Sequence, residues 1–139
     1  MAITWNPDPA IGVDIKLDET GDLAFTPSGD LDLVGNVQPA DNVWQATVLR
    51  LLTTLGTYLF ESGYGTKLRQ QVGQPITDML TQQIKTQITT TVLSDPRVKS
   101  ILNLNVTQTT DPDGYQIMLS ILTASSTQAV SGLILVSGA

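Results

Sequence analysis

The 139-residue chain contains no cysteine and no histidine. Without thiols it has neither disulfides nor thiolate metal sites, and nothing in it points to an oxidising compartment. Without imidazole it lacks the usual general base near neutral pH, the commonest zinc ligand and every histidine-containing triad. Aromatic residues make up 5% and charged residues 14% of the sequence, a charge content low enough to suggest that partners cover some of the surface. The N-terminus has no positive stretch followed by an apolar core. No run approaches the roughly 20 apolar residues of a membrane span, so no membrane contact is expected. The expected setting is the cytoplasm, or a particle assembled there.

What charge there is lies unevenly. Residues 1–41 hold eight acids against Lys16, a balance of −7, whereas the remainder holds five acids and six bases, a balance of +1. An acidic arm on a near-neutral body argues against nucleic acid as a partner, because neutralising phosphates takes clustered Lys and Arg. Two readings of the acids stand: they face a basic protein surface, or they keep loops soluble.

Length and a hydrophobic fraction of 41% fit one domain with a real core. Residues 1–19 read as an extended acidic arm, in which Pro7 and Pro9 forbid a helix and Ile3 and Trp5 have no local partner. Residues 20–125 read as an α+β domain. Gly21-Asp22-Leu23 and Gly29-Asp30-Leu31 repeat eight residues apart around short alternating segments, which predicts an N-terminal β-hairpin. These Gly-Asp pairs lack the later oxygen ligands of a calcium loop.

Asp41 is a candidate cap for a helix whose apolar stripe is Trp44, Val48, Leu51, Leu52 and Leu55. An elbow follows, with Gly56, Gly63, Gly65 and Gly73, and Thr66 positioned to cap a short helix through Val72. Pro75 then opens a long helix with Ile76, Leu80, Ile84, Ile88 and Val92 at four-residue intervals, ended by Asp95-Pro96-Arg97. Beyond it the period falls to two. Leu102, Leu104 and Val106 form one half-buried strand, Asp111 to Gly114 a turn, and Tyr115, Ile117, Leu119 and Ile121 a second strand antiparallel to the first. Residues 126–139 supply a third strand or an apolar tail for partner contact, with a β-rich end suited to pairing with another chain or within its own sheet.

Candidate chemistry is sparse. Glu61 follows the apolar run Tyr58-Leu59-Phe60, which would favour its protonated form, and a second acid such as Asp78 or Asp95 would have to lie within about 5–9.5 Å for glycoside hydrolysis. No Gly-x-Ser-x-Gly elbow, phosphate loop or dinucleotide fingerprint occurs, so no cofactor and no metal is expected.

The ordered set of Gly-Asp-Leu turns, the helix containing Val43-Trp44-Gln45 and Leu49 to Thr53, Gly56, Tyr64-Gly65 with Leu68, the long helix, a Pro-Arg-Val and the closing hairpin resembles a known family. It is similar to the baseplate wedge or sheath-initiator proteins of contractile phage tails, related to type VI secretion baseplates and contractile bacteriocins. The family's Glu-Pro-Arg appears here as Asp95-Pro96-Arg97, and its Gly-Glu as Gly56-Thr57. The resemblance implies a non-enzymatic virion protein of the tail baseplate, assembled in the host cytoplasm, in six copies around the tail axis. It implies contacts with tail sheath protein, baseplate wedge proteins and tail tube or hub proteins, and a C-terminal sheet edge extended by strands from sheath subunits.

Candidate contacts on this basis are Tyr64, Gly65, Asp95, Arg97, Ile117, Leu119, Ile121, Leu133 and Leu135, with Arg97 either at an interface or paired internally with Asp95 or Asp78. Some members carry a lysozyme label, which supplies the rival reading, a peptidoglycan hydrolase using Glu61.

Overall fold

The computed structural model describes residues 11–35, 39–72, 74–75, 77–109, 114–124 and 129–136. Trp5, Ile3, Ile76 and the tip of the turn at Asp111 to Asp113 lie outside them. The class is α+β. An N-terminal ribbon precedes two helices, α1 (Pro39–Leu52) and α2 (Asp78–Leu93), with a 3-10 turn at Leu68–Gln71 between them, and a three-stranded antiparallel sheet ends the chain.

The ribbon begins earlier than the Gly-Asp-Leu repeat suggests. Strand β1 (Asp14–Ile15) pairs antiparallel with β2 (Leu33–Val34), inside the stretch expected as an arm. Between them the two expected turns form. Leu17 bridges Leu23, and Phe25 bridges Leu31. Three residues eight apart close a ring of backbone bonds: Ala24 N–H donates to Lys16 O (3.0 Å), Lys16 N–H to Asp32 O (3.0 Å) and Asp32 N–H to Ala24 O (2.9 Å). The expected antiparallel pairing is therefore present, and the repeat folds within it as a small three-sided unit. Asp18 fastens the first turn by accepting from the amides of Thr20 (2.8 Å) and Asp22 (3.1 Å).

Helix α1 holds this unit through two polar side chains. Gln45 accepts from Leu17 N–H (3.0 Å) and donates to Ile15 O (2.9 Å), so its amide pairs with β1 as another backbone would. Buried Asn42 donates to Gly12 O at 3.0 Å. Gly35, at φ +94°, leaves room for it, since a Cβ there would stand 2.7 Å from Asn42 Cβ. The deep face of α1 is accordingly Val43, Thr47 and Leu51, of which Leu51 belongs to the apolar stripe read from the sequence while Val43 and Thr47 each lie one position before a stripe residue. Trp44, Val48 and Leu52 pack beside that core, and the helix ends before Leu55.

Helix α2 starts three residues later than Pro75 suggests, because Thr77 takes the N-cap and accepts from Leu80 N–H at 3.2 Å. Its stripe of Leu80, Ile84, Ile88 and Val92 is buried as expected. Both helices lie on one face of the sheet formed by β3 (Val98–Gln108), β4 (Tyr115–Thr123) and β5 (Ala129–Val136), in the order β3-β4-β5. In β4 the alternation Tyr115, Ile117, Leu119 and Ile121 is buried throughout. In β3 it fails at Leu102, which is 55% exposed, because the register slips between Ile101 and Asn103 and one extra residue bulges out. Ile101 packs on the core in its place. The final strand approaches α1 so closely that a Cβ on Gly132 would lie 2.6 Å from the Trp44 ring.

Candidate protein-interaction site

Strand order leaves β3 and β5 as the margins of the sheet, and among the described residues no other backbone pairs with either outer edge. The hydrogen-bond parity of the sheet says which groups face outward. Thr109 N–H donates to Gly114 O at 3.2 Å, which makes 109 and 114 a hydrogen-bonded pair. In an antiparallel ladder such pairs alternate with non-bonded ones. Gln116, Met118 and Ser120 therefore point their main-chain groups at β3, and Tyr115, Ile117, Leu119 and Ile121 point theirs at β5. Their partners across β5 are Val136, Ile134, Gly132 and Val130. The N–H and C=O groups of Ser131, Leu133 and Leu135 are left aimed away from the sheet. The side chains of Leu133 and Leu135 are 55% and 65% exposed on the face opposite the helices.

The margins differ in protection. β3 carries two register shifts and Lys99, devices that twist and charge an edge against pairing. β5 runs regularly through eight residues with no charge, proline or shift.

Ile117, Leu119 and Ile121, expected as contacts, are fully buried, and β4 has a strand on each side. Their side chains and their backbone are both used within the chain. Alternation marks a strand's two faces but not its place in the sheet.

Asp95 and Arg97 form an internal pair. Arg97 Nη2 donates to Asp95 Oδ2 at 2.8 Å, Nε to Oδ1 at 3.1 Å, and the Arg97 backbone N–H to Oδ1 at 2.9 Å. Burial pushes the Asp95 carboxyl up, but these bonds and the guanidinium charge outweigh it and hold the group below the usual carboxylate range. Bonding to Asp95 in turn raises Arg97. The remaining arginine nitrogen, Nη1, donates to Ile11 O at 3.3 Å, so the pair also ties the start of the ribbon to the end of α2.

Tyr64 and Gly65 sit at the base of the elbow. Gly65 is at φ +107°, and a Cβ there would meet Thr53 O at 2.6 Å, so glycine is required. Burial pushes the Tyr64 phenol up. Arg50 lies 5.3 Å from the Tyr64 ring centroid and also lines, with Asp95, Ala46, Thr47, Thr91 and Val92, a cleft of about 10 Å³ between the helices. That volume holds a single water. Arg50 thus links the elbow to the Asp95–Arg97 pair. The sequence reading passed it over, although it is the basic residue of α1's last turn. The short helix expected between Thr66 and Val72 is the 3-10 turn Leu68–Gln71, with Lys67 and not Thr66 at its N-cap position. Thr66 donates to Leu51 O (2.7 Å) and accepts from Leu68 N–H (3.4 Å) at the start of the 3-10 turn.

Glu61 lies exposed on the same loop. Among the described residues no group of three or more acids is placed to hold a metal ion.

The profile of contractile injection system sheath initiators matches residues 13–126. No curated protein sequence matches the chain. A crystal structure of a protein described as a tail lysozyme, from Geobacter sulfurreducens, superposes with a TM-score of 0.64 over 73% of this chain and 93% of its own, at 12% identity. At that identity the likeness establishes the fold. Spanning the ribbon, both helices and the first two strands of the sheet, the family match has a definite consequence: the chain belongs to the sheath-initiator family of contractile injection systems.

Proposed function

We propose that the protein joins the baseplate wedge to the first ring of sheath subunits, in six copies around the tail axis, and templates sheath growth by accepting a strand on β5. Membership of the family makes it a structural component of a contractile tail. The proposed role within that tail is non-enzymatic, at the baseplate, after assembly in the host cytoplasm. The observation that carries this reading is the unprotected edge of β5, with the main-chain groups of Ser131, Leu133 and Leu135 directed outward. Strand addition draws affinity from the main chain and makes little demand on particular side chains. With β3 bulged and charged, β5 is the margin suited to accept a strand.

Hydrogen exchange on the chain mixed with purified sheath protein tests this. Protection is expected to rise at the amides of Ser131, Leu133 and Leu135, while those of Gly132 and Ile134, already bonded to β4, change little. Unchanged exchange along β5 in a mixture that forms sheath overturns the proposal.

A further inference from the structure

Loop 53–66 carries the two most exposed large apolar side chains among the described residues, Leu59 at 93% and Phe60 at 87%. It is a built projection. Thr66 N–H donates to Thr53 O and Leu55 N–H to Thr66 O, both at 2.9 Å, closing its base. Tyr58 meets Phe60 edge-on (5.7 Å between centroids) and Tyr64 at a tilt (5.3 Å), with Arg50 against Tyr64 in turn. Around the projection Arg50, Lys67 and Arg69 stand against Glu61 alone, a local positive balance in a chain of net −6.

The ribbon is its complement. Residues 14–32 hold six acids against Lys16, and Phe25 and Leu23 are 60% and 48% exposed among them. Gln45 and Asn42 bind the ribbon to the first half of α1, whereas the loop leaves from the helix's end. The 14 residues of α1 make a rod of about 20 Å. Opposite charges, each with exposed apolar residues, therefore sit at opposite ends of one rigid element.

We infer that loop 53–66 of one copy docks on the acidic ribbon of a second copy, head to tail. Leu59 and Phe60 supply the apolar contact against Phe25 and Leu23, and Lys67 and Arg69 face Glu19 and Asp22. Such a contact joins unlike surfaces, so it closes into a ring or runs on as a chain. Charge steers it, and salt weakens it. Neither surface uses β5, so the contact stands whether or not that strand accepts sheath.

Sedimentation velocity on the full chain tests the inference. At low salt the sedimentation coefficient is expected to rise with protein concentration, and to stay at the monomer value at about 0.5 M salt, where screening falls within a few ångströms. Leu59→Ser with Phe60→Ser is expected to abolish the rise. Two charge reversals give the sharper result. Lys67→Glu with Arg69→Glu, and separately Glu19→Lys with Asp22→Lys, each lose self-association, and mixing the two restores a complex. All four positions are exposed, so the fold is untouched. A wild-type chain that stays monomeric at every concentration, or reversed variants that fail to pair when mixed, overturns the inference. Leu133→Pro, which blocks only the β5 edge, associates like the wild type.

Discussion

Replacing Leu133 by proline, and separately Ile134, puts the assigned edge of β5 to a direct test. Proline removes one backbone N–H. At Leu133 that group points outward, so the isolated protein loses no ladder bond, and the side chain given up is already half exposed. Proline is tolerated on an edge in this orientation. At Ile134 the N–H bonds to Ile117, across the pair that the two residues form, and the lost side chain is only 3% exposed. Leaving the Ile117 carbonyl unpaired in the sheet, together with the loss of a buried isoleucine side chain, costs about 3 kcal/mol or more, which in a domain of this size lowers Tm by about 10 °C. The Leu133 variant is expected to melt within about 3 °C of the wild type. Sheath binding reverses the order of harm. Leu133→Pro deletes one intermolecular hydrogen bond and strands the carbonyl it would meet, about 1–3 kcal/mol, or a loss of about 5- to 150-fold in affinity. Leu133→Ala, which keeps the donor, serves as the control. Thermal melts and titration with sheath protein read the two effects apart. Equal destabilisation by the two prolines would refute the parity assigned to β5, and unimpaired sheath binding by Leu133→Pro would refute the edge as the template.

Three further substitutions probe the scaffold behind that edge. Gly132→Ala forces a methyl to within 2.6 Å of the Trp44 ring and is expected to cost about 1–3 kcal/mol; a double-mutant cycle with Trp44→Phe in urea checks that the clash is the cause. The Tyr115 hydroxyl donates to Leu68 O at 2.7 Å in the core, so Tyr115→Phe strands that carbonyl and is expected to cost about 1–2 kcal/mol, read as a lower urea midpoint at unchanged slope. Asp95→Asn removes a carboxylate held below its usual range when folded, so the stabilisation it contributes is complete above about pH 4 and is lost as pH falls through the lower folded value. The variant is therefore expected to be about 1 kcal/mol less stable at pH 7, after allowance for screening of a partly exposed pair, and to converge with the wild type in acid. Parallel pH curves for the two proteins would count against that account.

Much of this fold is legible where one physical effect dominates. Tyr115 to Ile121 alternate because one face of β4 meets two helices, and Leu80 to Val92 repeat because one stripe of α2 meets the sheet. Legibility fails where a contact distant in sequence decides. The face of α1 shifts because Asn42 and Gln45 spend their amides on the ribbon, which residue types on a helix do not announce. Leu102 reads as core because a bulge is a property of the pair of strands and not of either one. Asp95-Pro96-Arg97 was readable as a candidate ion pair, but the choice between Asp95 and Asp78 needed the geometry. The outward amides of β5 were not readable at all. Their direction follows from which pairs across two ladders share hydrogen bonds, and that phase is set at the far hairpin by Thr109 and Gly114.

A protein that accepts a strand on β5, as proposed, has to be complete enough to fold and incomplete enough to be extended, and the strands of this sheet divide those demands between them. β4, between two neighbours, spends every apolar side chain of its inner face on the core. Ile134 and Val136 carry the same burial into β5, so the strand is anchored along one side while its other side stays unpaired. Trp44, seated on Gly132, fixes the position of that anchored side against α1. The helix that holds the ribbon therefore also positions the open edge.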